Sequence, residues 1–490
     1  MTINHLPLIK SYMQHDDKYI YVTKHPEGIP QYHICVRSKK DDDTNSNSDT
    51  NANTNSNSNS KKDSNNKTLF IDSSKPFISM RLLAKSVPKN KNICLCVTNL
   101  PQKYKYGFLT YVSKTLYTFQ KYVSQSDEKD KSSKVYIFNK VKQDNNSKAL
   151  QRFVCSLNCA DVARDLENEP ANVMSPSVFV STTKAILQDA VVKSGSKAPT
   201  LKIHVLDEEQ MKKEQLNLVL AVGLSSVRKP KFMVVECIQE KTKDCPTICL
   251  IGKTVVFDAG GLNIKTRGML PEMKTDKTGG AVVVALIRYC ILNNVKLNII
   301  GAMPIVENLL GENVTRPGDI VKSYSGKTVE ITDVDAEGRL IIADAISYVV
   351  NYCKKYKPDY IIDFATLTGW AESVHLDLNA VCYCRDLKLA SKINDAGENV
   401  GERVWFLPPW DEYMYFTKSV VANTRNYSLD VKEGAYLPAM FMMNFVPEDM
   451  RDRWLHFDIC NNFSGDLARG NCVALASQWF DSIIKQNVKK

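Results

Sequence analysis

An α/β fold in two domains is what this chain predicts, and three observations predict it. Strand-like and helix-like stretches alternate along the sequence. An apolar strand, Thr254–Phe257, ends on Asp258, and open α/β sheets place their sites at the carboxyl ends of strands. The 490 residues, 43% hydrophobic and 24% charged, are enough for two or three cores of ordinary globular composition. The expectation is a smaller N-terminal α/β domain over residues 1–160 and a larger C-terminal one over 161–490. The larger one should have a central mixed sheet flanked by helices.

In chain order, Tyr19–Val22, Tyr32–Val36, Thr68–Ile71, Ile93–Val97 and Val135–Phe138 read as strands, being short, apolar and rich in β-branched and aromatic residues. Gly107–Tyr122 reads as an amphipathic helix and Ser124–Ser133 as an exposed loop. Thr44–Ser60 is Asn/Ser/Thr with a single apolar residue, Ala52, so it cannot offset its ordering entropy; a disordered insertion over about 41–66 is expected. Residues 145–170 should be a helix joining the domains. Beyond it, Thr247–Ile251, Thr254–Phe257, Leu297–Ala302 and Asp359–Ala365 read as strands. Gly279–Ile291 is apolar on nearly every face and reads as a buried helix, while Leu340–Tyr352 reads as a helix starting just after Arg339.

Charge is uneven. Net charge is +10, and residues 1–170 hold 26 Lys and Arg against 17 Asp and Glu, an excess of nine. Without a nucleic-acid-binding module this predicts a lysine-rich solvated surface and no nucleic-acid partner. No apolar run is long enough to span a bilayer, and the N-terminus lacks a basic stretch leading an apolar core, so no membrane partner and a cytoplasmic location are expected. Fourteen scattered cysteines with no C-x-x-C read as reduced, mostly buried thiols.

Polar chemistry concentrates between residues 250 and 340. Three carboxylates alternate in Asp333-Val334-Asp335-Ala336-Glu337, followed by Gly338 and Arg339. Upstream stand Gly252-Lys253, Asp258-Ala259-Gly260-Gly261, Lys265 and Met273-Lys274-Thr275-Asp276. Acids on Gly-rich loops are candidate ligands for hard divalent cations, which prefer oxygen donors. Gly252-Lys253-Thr254 and Gly326-Lys327-Thr328 fail as phosphate loops, since Thr247 and Val321 occupy the positions that need glycine.

Asp335-Ala336-Glu337-Gly338-Arg339-Leu340 resembles the signature of the leucyl aminopeptidase family, the cytosolic two-metal exopeptidases, which usually reads Asn-Thr-Asp-Ala-Glu-Gly-Arg-Leu. The segment from Gly252 to Lys265 resembles the same family's Gly-Lys-Gly-x-x-(Phe/Tyr)-Asp-Ser-Gly-Gly-x-x-x-Lys, with the spacings from Lys253 to Asp258, Lys265 and Asp276 in register. Arg164 to Asn172 is similar to the opening of the catalytic domain, and the likeness continues to about Phe480.

The resemblance implies a metal-dependent aminopeptidase that removes N-terminal, leucine-like residues from peptides. It implies that Asp258 and Glu337 bridge two divalent ions, Zn or Mn with Mg or Co as alternatives. Lys253 and Asp276 would complete one ion's shell and Asp335 the other's. Lys265 would be the electrophile, and Arg339 would hold bicarbonate as general base. Met273, Thr366, Leu367 and Gly369 would line the side-chain pocket, and the assembly would be a homohexamer. Ala259, Thr254, Lys277-Thr278 and Asp333-Val334 depart from the family pattern; Asp333, usually Asn, either faces the cations or points to solvent or caps the next turn. Two rivals remain, a non-catalytic descendant kept for binding or assembly and a ligand-binding first domain. His456, between Trp454 and Phe457, reads as a hydrogen-bonded core residue.

Overall fold

The computed structural model describes residues 17–22, 27–37, 66–89, 91–124, 134–139, 145–239, 245–266, 268–356, 358–375, 378–428, 434–460, 463–464 and 467–487. The Thr44–Ser60 tract and most of Ser124–Ser133 lie outside them. Two compact units are present, one over residues 16–158 with 398–401, the other over 159–397 and 402–490.

The first unit is built on five strands, β1 (Tyr19–Val22), β2 (Gln31–Arg37), β3 (Asn66–Asp72), β4 (Ile93–Cys96) and β5 (Val135–Phe138). Their order is β1-β5-β4-β2-β3 and every pairing is parallel. Helices α1 (Pro76–Lys85) and α2 (Gln102–Leu116) supply buried Met80, Ala84, Phe108, Leu109 and Val112. Helix α2 begins five residues earlier and stops six sooner than its apolar pattern suggested, because Tyr117 turns to extended backbone.

Residues 38–65 join the adjacent parallel strands β2 and β3. Removing Thr44–Ser60 leaves eleven of these 28 residues. Fully extended they reach roughly 36 Å, more than the roughly 23 Å length of a seven-residue strand. The deletion is therefore expected to leave thermal stability and solubility nearly unchanged, as thermal unfolding and size-exclusion chromatography would check.

Helix α3 (Asn145–Asn168) runs from the first unit into the second. The second unit holds β6 (Thr200–Leu206), β7 (Lys231–Ile238), β8 (Thr247–Gly252), β9 (Thr254–Asp258), β10 (Asn298–Asn308), β13 (Tyr360–Ala365), β14 (Asn379–Cys384), β15 (Arg403–Leu407) and β17 (Trp454–Asp458). They form one mixed sheet in the order β15-β14-β17-β13-β8-β10-β7-β6, with β9 also paired to β10. A small sheet of β11 (Asp319–Lys322), β12 (Thr328–Ile331) and β16 (Thr424–Arg425) stands beside it. Helices α4 (Pro176–Ser194), α5 (Glu208–Glu214), α6 (Asn217–Gly223), α7 (Thr278–Leu292), α8 (Glu337–Tyr352), α9 (Gly369–His375), α10 (Leu387–Val400), α11 (Tyr436–Met443) and α12 (Val473–Asn487) complete the unit.

Strand alternation puts helices on both faces. Gly301 of β10 faces Val283 and Ile287 of α7, whereas its neighbours Ile300 and Ala302 join Leu340, Ile341 and Ala345 of α8 in one core. Packing is close at the start of α7. A Cβ on Gly279 would lie 2.0 Å from the carbonyl oxygen of Phe364, so only glycine fits there.

Asp344, wholly buried on α8, pins this face. Its carboxylate accepts N–H groups of Leu218 at 2.7 Å, Val219 at 3.3 Å and Tyr324 at 2.8 Å. Burial pushes its pKa up to about 7, against the pull of those three N–H groups. A folded-state pKa above the unfolded value means that the folded protein binds the extra proton. Stability from this group is thus present at low pH and lost as pH rises from about 4 through about 7. The wild-type thermal midpoint relative to Asp344→Asn should therefore be more favourable at pH 5 than at pH 8.

Candidate active site

The site lies at the carboxyl ends of β8, β9 and β13 and the start of α8. Asp258 ends β9 and is buried; its Oδ1 accepts Gly260 N–H and Asn308 Nδ2–H, each at 2.9 Å. Gly260 has φ +87°, and a Cβ there would come within 2.8 Å of an Asp335 carboxylate oxygen, so the turn needs glycine. Glu337 and Arg339 stand inside the first turn of α8. The helix thus starts at Glu337, not after Arg339, because Ala336 in non-helical geometry is its cap. Carboxylate oxygens of Asp258, Asp335 and Glu337 all lie within 4.8 Å of one another.

Two lysines thread these acids. Lys253 Nζ reaches Asp276 Oδ1 and Glu337 Oε1, each at 2.8 Å, and donates to Thr366 O at 2.5 Å. Lys265 Nζ lies 2.8 Å from Asp258 Oδ2 and 2.6 Å from Asp335 Oδ1. Asp276 Oδ1 also accepts the Thr366 hydroxyl at 2.6 Å. All five expected ligand positions and Lys265 are therefore brought together.

Crowding shows in the ionisation. Burial first, then the like charges of Asp258 and Glu337, push Asp335 up to about 8. Burial chiefly, with Glu337 and Asp258 adding, pushes Asp276 up to about 7 although Lys253 pulls it down. Burial also raises Asp258, whereas for Glu337 the two lysines outweigh burial and hold the carboxyl below its ordinary value. Burial draws Lys253 and Lys265 down, yet the surrounding carboxylates more than offset this and hold both above the usual lysine value. Asp276 Oδ2 and Glu337 Oε2 are buried with no hydrogen-bond partner among the described residues. Such oxygens leave places for cations, which would relieve the repulsion.

Arg339 is almost wholly buried, its guanidinium donating to Asn426 O at 2.8 Å near the Tyr427 ring. Thr366 and Thr368 are buried, Leu367 and Met273 half-buried, and Gly369 exposed. Asp458 holds that loop, accepting Thr368 O–H at 2.6 Å and Leu367 N–H at 3.2 Å. His456 is buried with Nδ1 2.6 Å from Asp363 Oδ1, in agreement with its reading as a core residue.

Sequence reasoning missed Asn308, Asn426, Asp458 and Asn263. Asn426 accepts Thr332 N–H at 2.9 Å and donates to the carbonyls of Asp333 at 2.6 Å and Ala336 at 3.2 Å, while Asn263 accepts Val334 N–H at 3.1 Å. An amide far along the chain leaves no local signal; only the proximity of Asn308 to the end of a buried strand could have hinted at it.

Asp333 takes the second of its two readings. Its Oδ1 accepts Asp335 N–H at 2.8 Å, closing a turn, so this oxygen is engaged by the backbone rather than facing the acids. An asparagine oxygen closes the same turn. Asp333→Asn is therefore expected to change metal retention under mild chelation less than twofold, as chelator titration would check.

Converging acids at the carboxyl ends of a mixed sheet define a class, the carboxylate centres suited to hard divalent cations. The particular family follows from comparison. The profile described as the cytosol aminopeptidase family, catalytic domain, matches residues 161–473, and the chain belongs to that family. A probable cytosol aminopeptidase of Brucella melitensis is 37% identical over 306 residues, 62% of this chain and 59% of that one, so the match spans less than two thirds of that relative. One from Rickettsia bellii is 32% identical over 382 residues, 76% of this chain and 73% of that one. The solved cytosol aminopeptidase from Coxiella burnetii superimposes with a TM-score of 0.73 at 25% identity, covering 95% of this chain and 99% of that one. Among the described residues no helix is long and apolar enough to cross a membrane.

Proposed function

We propose that this chain is a metal-dependent aminopeptidase that hydrolyses N-terminal, leucine-like residues from peptides. The observation that carries it is the closeness of Asp258, Asp335 and Glu337, extended through Lys253 to Asp276, with buried carboxylate oxygens left over. Membership of the cytosol aminopeptidase family supports the same reading. Asp258 and Glu337 would hold two divalent ions between them, with Lys253 and Asp276 on one side and Asp335 on the other; Zn or Mn suit the set, and Mg or Co could replace them. Bound there, such ions supply an activated water and polarise the scissile carbonyl.

The chain's own groups do the rest. Lys265, whose ammonium is held beside Asp258 and Asp335, offers a fixed positive charge to the oxyanion that develops on the substrate. Arg339, anchored by Asn426, presents a planar guanidinium suited to bicarbonate, which would take the proton from water. The loop of Thr366, Leu367 and Gly369 with Met273 would hold the first side chain. Lys253 must lose its proton to act as a ligand, and incoming cations favour that loss.

A homohexamer in the cytoplasm is proposed alongside, resting on the family resemblance. The test is release of fluorophore from a panel of aminoacyl substrates with Zn, Mn, Mg and Co, beside mass measurement in solution. Hydrolysis with none of the metals would overturn the reading of the site, and no hydrolysis under any condition would overturn the activity.

A further inference from the structure

Lys277 takes no part in the chemistry above, yet its side chain is wholly buried at the cap position of α7. A positive charge is misplaced there, since a helix N-terminus is itself positive, and burying an ammonium is costly unless its donors are satisfied. Main-chain oxygens satisfy them. Nζ donates to Glu169 O at 2.8 Å, to Glu167 O at 3.1 Å and to Lys274 O. An ammonium has three donors, and all three are used. Glu167 and Glu169 lie at the C-terminal end of α3, where the last carbonyls lack intrahelical partners and the helix end is partly negative. Lys274 belongs to the turn Leu270–Thr275 that leads into Asp276.

Three carbonyls facing one nitrogen leave no place for a lone pair, so the geometry is that of the charged form. Burial draws the pKa of Lys277 down to about 7, opposed by Glu169 and Glu167. The interior position is thus held against a strong desolvation cost, which an uncharged side chain of similar length would avoid.

We propose that the Lys277 ammonium is an internal cation that ties the end of α3 to the Lys274–Asp276 turn and so fixes the direction in which Asp276 presents its carboxylate. It is a positioning residue, and its link to metal binding rests on the reading of Asp276 as a ligand. Two segments separated by more than a hundred residues converge on it.

The test uses full-length Lys277→Ala, which removes the charge and vacates the place of Nζ among the three carbonyls. Thermal unfolding of metal-free protein is compared in choline, potassium and ammonium chloride at equal ionic strength. In choline the midpoint of the variant should fall by roughly 5 °C, and the divalent ion at Asp276 should be lost several-fold faster to a mild chelator. Potassium or ammonium, small enough to enter a carbonyl cage, should restore at least half of the midpoint loss; the parent should be indifferent to the salt. A variant that matches its parent in choline, or is impaired equally in all three salts, overturns the proposal. If the variant is insoluble, Lys277→Gln takes its place, with the same comparison and a smaller rescue. A parent that binds no divalent ion sinks the metal reading alone, because the salt dependence is read without metal.

Discussion

Asp258→Ala and Glu337→Ala are each expected to reduce the proposed peptide hydrolysis to background and to remove bound metal in the same step. These two carboxylates reach both halves of the cluster, Asp258 through Lys265 and Asp335, Glu337 through Lys253 and Asp276. Removing either leaves the neighbouring lysine with one of its two carboxylates, Lys265 with Asp335 or Lys253 with Asp276, so the cost should fall below the about 3–5 kcal/mol of a buried pair broken outright. A loss of thermal stability should therefore accompany the loss of metal. Metal analysis by mass spectrometry beside steady-state kinetics decides the matter. A Glu337→Ala protein that keeps full metal content and full rate would refute the assignment.

Lys265→Ala behaves differently. Its ammonium competes with cations for Asp258 and Asp335, so its removal should leave metal content intact or raise affinity. The rate should nevertheless fall by about 10²–10³-fold, the loss typical of one oxyanion donor. Because the interaction strengthens only as charge develops on the substrate, the loss should appear in kcat with little change in KM. A variant with normal kcat would remove Lys265 from the reaction.

Both predictions concern residues whose grouping was legible in the sequence, and the reason is local. Asp258 at a strand end, Lys265 and Asp335 on loops, and Glu337 and Arg339 at a helix start fall in two short segments that resemble the leucyl aminopeptidase pattern, and that resemblance rather than spacing alone grouped them. All five strands of the first unit were legible as apolar runs, but in the main sheet of the second unit only β8, β9, β10 and β13 were, and β6, β7, β14, β15 and β17 were not. The start of α8 was not, because no side chain caps it and the cue that normally marks a helix start is missing. The length of β10 was also hidden. It continues six residues past Ala302 to Asn308, through Pro304, Glu307 and Asn308, which do not read as strand interior, because burial between β7 and β9 overrides local preference. Partners such as Asn426 and Asp458 were illegible for a third reason. A single amide or carboxylate meets its loop only after some 90 residues of intervening chain have folded.

Asn426 has a consequence for the order of assembly. The ligand-bearing turn of Thr332 to Ala336 and the guanidinium of Arg339 are both bonded to this one residue, which lies 90 positions after Ala336 and sits beside the small strand β16. Loop closure of that length must precede its contacts, so they form late. A chain emerging from the ribosome would carry every acidic ligand well before it could hold them in register. Competence therefore waits until Asn426 has been made, and a truncated product ending before it would keep the ligands but lack the amide that joins their turn to Arg339.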